Sequence, residues 1–427
     1  MKNPSNVWMP FTQMAQASAP TMVTSGKAAH LNLADGKQLI DAISSWWVSI
    51  HGHGNLEIAE AIYEQAKTLE HVIAAGYTHE PAQQLAAQLK AFTPDPLEWV
   101  FFSDDGSTAV EVALKMAFQY WANQQAKGRN QFLALEGGYH GDTLGAMSVG
   151  DPSLFSPVFS PLLFDVTRLP RPLTWEGDLE IEAKEAAALA TAKEVLEQNP
   201  TGYAALIVEP LIQGAAGMRT YRPQFLRALV DLARSFGVLV IFDEVMTGFG
   251  RTGQPFASQT AEVEPDLMCL SKGLTGGTLP MAVTMASNLV YEGFLGDQAG
   301  AIDPTFYHGH SFTANPLGCA AAVASLKLLK QNKVYPVMES WHREGLGLIE
   351  GCERLSSLRV LGTMAAMDWS ERPGAKYNNV EALKAAFVDR GVILRPLGKA
   401  LYILPPYCIE KGELIYVYEQ IKAVLDA

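Results

Sequence analysis

Cysteine is scarce in this chain. The 427 residues hold four, Cys269, Cys319, Cys352 and Cys408, with no CxxC and no metal-ligand spacing among them. That pattern excludes a disulfide scaffold and gives no reason to expect a metal. It reads as buried thiols in a reducing, cytoplasmic setting. Long apolar runs are missing too: no window holds the ~18 consecutive apolar residues of a membrane span. The opening "MKNPSNVWMPFTQM" lacks the charged-then-apolar layout of a secretory signal. Nor is there a basic stripe. With 45 acidic against 32 basic residues the net charge is −13, which argues against nucleic acid as a partner. The acids are spread out and read as a solvated surface rather than a binding tail. Internal repeats and low-complexity tracts are absent.

What is present is a globular composition, 48% hydrophobic and 18% charged, long enough for one to three domains with a large core. Short apolar runs alternate with amphipathic stretches. "WVFFSD" (Trp99 to Asp104) reads as a buried strand, and the following "STAVEVALKMAFQYWANQQ" puts Val110, Ala113, Leu114, Ala117 and Tyr120 on one helical face. "FLALEGGYHG", "YAALIVEP", "GVLVIFDE" and "DLMCLSKG" are further strands, with a helix from Pro223 to Gly237 between two of them. The pattern predicts an α/β fold whose mostly parallel sheet is covered by helices on both faces. The tail differs. "NPLGCAAAVASLKLLKQ" reads as a long helix, and beyond it strands and a helix at Val380 to Arg390 predict a small α+β lobe. "ADGK", within the first fifty residues, is a hairpin turn signal. The expected division is a segment 1–50 packed with the small lobe, a large domain 51–316, and a linking helix with the small domain, 317–427.

Ligands of such sheets bind beyond the carboxyl ends of the strands. Asp104, Glu209, Asp243 and Lys272 all fall there. Five apolar residues, Val238 to Phe242, run straight into Asp243 and Glu244, where charge is costly to bury. A cationic ligand atom such as a protonated pyridine nitrogen would justify Asp243; the plainer alternative is a loop cap or a pair with Arg251. Lys272 follows an apolar strand and precedes glycines, where burial lowers a lysine's pKa and frees its amine for Schiff-base chemistry; the plainer alternative is a lysine reaching solvent. Gly106-Ser107-Thr108 open a helix after a strand, which makes an anion site or an ordinary N-cap. Tyr139, after two glycines, has the shape to stack on a flat ring, or to sit at a core rim. A ring stacker, a phosphate cradle, a pyridinium partner and a Schiff-base lysine on one sheet edge are together the parts for pyridoxal 5′-phosphate.

"IVEPLIQGAAGM", "VLVIFDEVMTGFGRTG", "CLSKGLTGG" and "GHSFTANPLGCAAA" resemble the class III (subgroup II) aminotransferases of the fold-type I pyridoxal-phosphate enzymes, and the likeness runs nearly end to end. Within the class, "WMPFTQM", "DAISSWWVSIHGHG", "GGYHGDTLGAMSVGDP" and "ILRPLG…YILPPY" are similar to members that aminate 8-amino-7-oxononanoate in biotin biosynthesis. The resemblance implies roles. Lys272 holds the cofactor covalently and moves the substrate proton, Asp243 pairs with the pyridine nitrogen, and Tyr139 stacks on the ring. Gly106 and Ser107 hold the phosphate, with Ser311 supplied by the other subunit of a homodimer. Trp46 lines the substrate tunnel, one of Trp46 and Trp47 being a core residue because neighbours on a strand face opposite ways. Arg395 takes the substrate carboxylate. The parts played by Arg251 and Glu209 stay open.

Two positions depart from members that use S-adenosylmethionine as amino donor. Those usually carry tyrosine at Phe11 and Pro-Thr at His310-Ser311; "PFTQM" and "HGHS" also occur in lysine-using relatives. The tryptophan pair looks more like the S-adenosylmethionine form, so that donor is expected, with lysine as the alternative. An ω-amino acid:pyruvate aminotransferase and a non-catalytic cofactor-binding regulator are the competing readings; the regulator lacks its basic segment here.

Overall fold

Apolar runs bounded by turn residues become the strands of one sheet. The computed structural model describes residues 6–17, 19–126, 128–153, 157–296 and 303–427. Seven strands lie in the order Leu97–Ser103, Ala282–Ser287, Leu267–Leu270, Leu239–Asp243, Tyr203–Val208, Gln131–Leu135 and Thr167–Leu169. Ala282–Ser287 runs against both of its neighbours, and the remaining pairs are parallel, as the alternating strand and helix pattern predicts.

Every residue of Tyr203–Val208 and Leu239–Asp243 is buried. Side chains alternate across a strand, so Leu239 and Ile241 join one apolar cluster while Val240 and Phe242 join another on the opposite face. The helix Gly106–Asn123 covers the first face and buries the whole expected stripe. The helix Pro223–Ser235 covers the second with Phe225, Leu226, Leu229, Val230 and Ala233. Each such leucine, fully buried, contributes about 1.5–3 kcal/mol.

Leu97–Ser103 corrects one expectation: it is an edge strand, and Trp99 stays 40% exposed, stacked on Tyr291 at 3.5 Å. An apolar run looks the same in sequence whether it has one neighbour or two.

A second sheet joins the two ends of the chain. Val23–Lys27, His30–Leu33 and Gln38–Asp41 form an antiparallel meander, with the "ADGK" turn between the last two. Val392–Ile393 then adds in parallel to Gln38–Asp41. A third sheet, Leu355–Leu361, Met364–Trp369 and Ala400–Ile403, packs with the helices Met338–Leu348 and Lys411–Leu425. The helix Pro316–Gln331 links this part to the main sheet; the Asn315 side chain accepts from the N–H groups of Leu317 and Gly318, and Pro316 begins the first turn. No described helix is long and apolar enough to cross a membrane. All four cysteines are free thiols, Cys269 and Cys319 buried, Cys352 and Cys408 half-buried.

Trp46 and Trp47 correct a second expectation. They are not on a strand. Ser44, Ser45, Trp46 and Trp47 turn with φ of 49°, 46°, 81° and 75°, all in the left-handed region. A non-glycine residue gives up roughly 1–2 kcal/mol there, so the surrounding contacts have to impose the turn.

Candidate active site

A cavity of about 480 Å³ opens at the carboxyl ends of the parallel strands. Asp104, Tyr139, Glu209, Asp243 and Lys272 all line it, each delivered by the end of a different strand. Gly106 and Ser107 line it from the start of their helix.

Of the two acids after Phe242, one faces the cavity and one faces the core. The Glu244 carboxylate accepts from the backbone N–H groups of Ala257 and Ser258 at 2.7 and 2.8 Å and from the Thr247 hydroxyl at 3.1 Å. Its task is to hold the chain after the strand. Asp243 Oδ2 lies 2.7 Å from His140 Nδ1, and Oδ1 accepts from Val245 N–H at 3.1 Å. Both Asp243 and His140 are buried. Asp243 does not pair with Arg251, whose guanidinium donates to the carbonyls of Pro405 at 2.9 Å and Trp47 at 3.4 Å and stacks over Tyr407. His140 was not singled out from the sequence. A histidine in "GGYHG" carries no signal of its own; its value comes from a strand end far away in the chain.

Glu209 bridges two loops. Its carboxylate accepts from Tyr139 N–H and Gly214 N–H, both at 3.0 Å. Burial pushes it up to about 7; the two amide bonds and His140 pull it back, while the nearby Asp243 adds to the rise. Lys272, half-buried at φ 46°, points its amine 4.8 Å from the centre of the Trp47 ring. Burial pushes that amine down to about 8, with Arg251 acting the same way and the carboxylates of Asp243 and Glu209 opposing. Burial also raises the Tyr139 hydroxyl well above its ordinary range, helped by Asp142.

The helix start forms a narrow cradle. Asp105 is the cap, taking Thr108 N–H at 3.0 Å, and the Ser107 hydroxyl accepts from Asp142 N–H at 3.0 Å. First-turn N–H groups have no partner inside their own helix, so those of Gly106 and Ser107 remain for an anion, at the positive end of the helix dipole. A Cβ on Gly106 would sit 2.7 Å from Val245 Cγ1, and one on Gly141 would sit 2.0 Å from the Ser107 hydroxyl. Only glycine leaves this space open. His310 stands beside Asp104, with Nδ1 at 3.3 Å from the carboxylate. A phosphate cradle, a buried acid, an aromatic ring and a lysine of lowered pKa fit pyridoxal 5′-phosphate, group for group.

Phe11, Trp46 and Arg395 are brought together by the fold. Phe11 meets Trp46 edge-on at 5.7 Å, and the Arg395 guanidinium lies 4.3 Å above the Trp46 ring. Arg395 has no ion pair among the described residues. Trp47, rather than Trp46, lines the cavity itself, and its indole N–H donates to the Tyr402 hydroxyl at 3.1 Å. Trp46 remains 38% exposed. Ser311 is exposed and not part of this chain's own cavity lining.

Comparison with known proteins gives the family. The family model for aminotransferase class-III matches residues 12–425. A protein of Synechococcus elongatus named adenosylmethionine-8-amino-7-oxononanoate aminotransferase is 52% identical, over 100% of both chains. The crystal structure of an enzyme of the same name from Methanocaldococcus jannaschii superposes with a TM-score of 0.89 at 34% identity, covering 99% of this chain and 97% of that one. A PLP-bound amine transaminase from an uncultivated Pseudomonas species gives a TM-score of 0.92 at 26% identity, covering 100% and 99%. The chain belongs to the class-III aminotransferases, transaminases of the fold-type I architecture that work with pyridoxal phosphate.

Proposed function

We propose that this chain aminates 8-amino-7-oxononanoate to 7,8-diaminononanoate, in biotin biosynthesis, with S-adenosylmethionine as the amino donor. The observation that carries the acceptor is Arg395: an arginine with no ion pair among the described residues, laid on Trp46, whose neighbour Trp47 lines the cavity. The acceptor has one anionic end and a long apolar stem. A guanidinium grips a carboxylate through two parallel hydrogen bonds, each worth about 1.5–3 kcal/mol net. Aromatic rings beside it cover methylenes at about 0.8 kcal/mol each. The relatives named for this reaction support the same reading.

Pyridoxal phosphate, when bound, supplies the electron sink that makes an amino carbon acidic. The chain's residues do the rest. Lys272 anchors the cofactor and then acts as general base and acid at the substrate carbon, its lowered pKa keeping a useful fraction of the amine neutral. Asp243 keeps a proton on the ring nitrogen, and His140 holds the Asp243 carboxylate in place. Tyr139 stacks on the ring. Gly106 and Ser107 take the phosphate through their N–H groups, and Ser311 of a second copy completes that site in a homodimer. The exposure of Ser311 supports the last point. Glu209 fixes the loop that carries Tyr139. Arg251 ties the Trp47 loop to the C-terminal part of the chain. The pairing of Gln38–Asp41 with Val392–Ile393 supports a large domain, 51–316, and a small one built from the described part of 1–50 and from 317–427.

Arg395→Ala should raise KM for the oxo acid about 10- to 100-fold with a smaller change in kcat, since it removes binding made equally before and during reaction. An unchanged KM would refute the assigned grip. Lysine is the second reading for the donor, because Phe11, packed on Trp46, offers no hydroxyl to a polar donor. Single-turnover mixing of the cofactor-loaded protein with each donor decides. Loss of the cofactor's visible band should be at least about tenfold faster with S-adenosylmethionine; a faster reaction with lysine reverses the assignment.

A further inference from the structure

A buried carboxylate contacts the left-handed turn at Ser44–Trp47. Asp41 is fully buried, and its side chain gathers three contacts. Oδ1 accepts from Ile43 N–H at 3.2 Å; Oδ2 accepts from the Ser45 hydroxyl at 2.7 Å and lies 2.9 Å from His53 Nε2. Burial alone would raise this carboxyl, but His53 and Ser45 outweigh it and hold it below the usual range. Further contacts tie the turn to distant elements: the Ser44 hydroxyl donates to Leu404 O at 2.7 Å, Arg251 donates to Trp47 O at 3.4 Å, and the Trp47 indole N–H donates to the Tyr402 hydroxyl at 3.1 Å. Strained backbone of this kind persists only where its surroundings over-determine it, and it collects where function needs it. Here the product of the strain is plain. Consecutive left-handed residues leave Trp46 partly exposed, under Arg395, and send Trp47 into the cavity, beside Lys272.

We propose that Asp41, held by His53, is the positioning residue that sets both tryptophans against the acceptor's apolar stem and so fixes the preference for a long-chain oxo acid. The inference rests on the acceptor reading above and adds to it the residue that shapes the specificity surface. "IHGHG" thereby gains a purpose: His53 braces the turn through Asp41, while His51 braces the Lys272 loop behind it, through Ser325 at 3.0 Å to the carbonyl of Gly273 at 3.0 Å.

The test uses the cofactor-loaded full chain. Asp41→Asn keeps the shape but removes the charge and replaces one acceptor oxygen with an NH2 that cannot accept. It should shift the near-UV circular dichroism of the tryptophans and raise KM for 8-amino-7-oxononanoate about tenfold, with kcat within about twofold and the cofactor's visible band unchanged. Ser45→Ala, which removes a single bond, should move both readouts the same way by less, and it carries the test if Asp41→Asn does not fold. Glu57→Gln, an exposed acid paired with Lys327, serves as the silent control. Unchanged dichroism and KM in a folded variant overturn the proposal, as does a loss confined to kcat. If the unsubstituted protein does not aminate the oxononanoate, the acceptor reading fails, and the dichroism of the two variants still judges the turn.

Discussion

Lys272→Ala binds pyridoxal phosphate without a covalent bond and turns over at a small fraction of the parent rate. Proton transfer by a positioned side chain is worth about 10²–10⁴-fold, and this substitution also removes the anchor, so the loss should reach the upper end of that range or pass it. A variant that still turns over normally would end the proposed role. The lysine's own pKa offers an independent check. Combination of the cofactor-free protein with pyridoxal phosphate needs the neutral amine. With that amine pushed down to about 8, the rate should climb with pH and level off just above that value. An ordinary lysine, near 10.4, would still be climbing at about pH 10. The stability consequence has a definite sign. A lowered folded-state pKa means that the unfolded chain holds this proton more tightly. Burial of Lys272 therefore costs stability below about pH 8, and the cost fades as pH rises toward the unfolded value. Thermal melts of the cofactor-free parent and of Lys272→Ala should converge over that window.

Asp243→Asn carries the second large effect. Groups pre-set against charge in a dry site are worth about 10²–10³-fold when one is removed, and Asp243 faces the cavity with its carboxylate already fixed by His140 and Val245 N–H. Amide for carboxylate keeps the size and removes the charge that would hold a proton on the ring nitrogen. A fall of kcat by about two to three orders of magnitude is expected, with cofactor binding weakened less. His140 also loses its charged partner, so the variant should melt at a lower temperature. A rate within about tenfold of the parent would show that the ring nitrogen does not depend on this acid.

Strands and helices of the main sheet were legible because their side chains answer to local rules. Val238 to Phe242 could be little else than a buried strand, and its alternate residues do enter two different clusters. The strand ends then placed Asp104, Glu209, Asp243 and Lys272 together, since in a parallel sheet those ends share one edge. What stayed hidden depends on partners distant in sequence. Asp243 and Glu244 look alike side by side, and only the amides of Ala257 and Ser258 decide that the second turns inward. His140 gains meaning from Asp243 alone. "SSWWVSI" has the composition of a strand; Asp41 and His53, brought together by folding, bend it the other way. Trp99 was read as buried because nothing in "WVFFSD" says that the sheet ends there.

The parallel pairing of Gln38–Asp41 with Val392–Ile393 has a bearing on how the enzyme is made. A chain emerging from the ribosome exposes Asp41 long before Val392–Ile393, the strand that pairs beside it, is made. Until then a sheet margin stands open to mispairing with other nascent chains. The pocket for the acceptor should therefore ripen only once that late strand has been made and has paired.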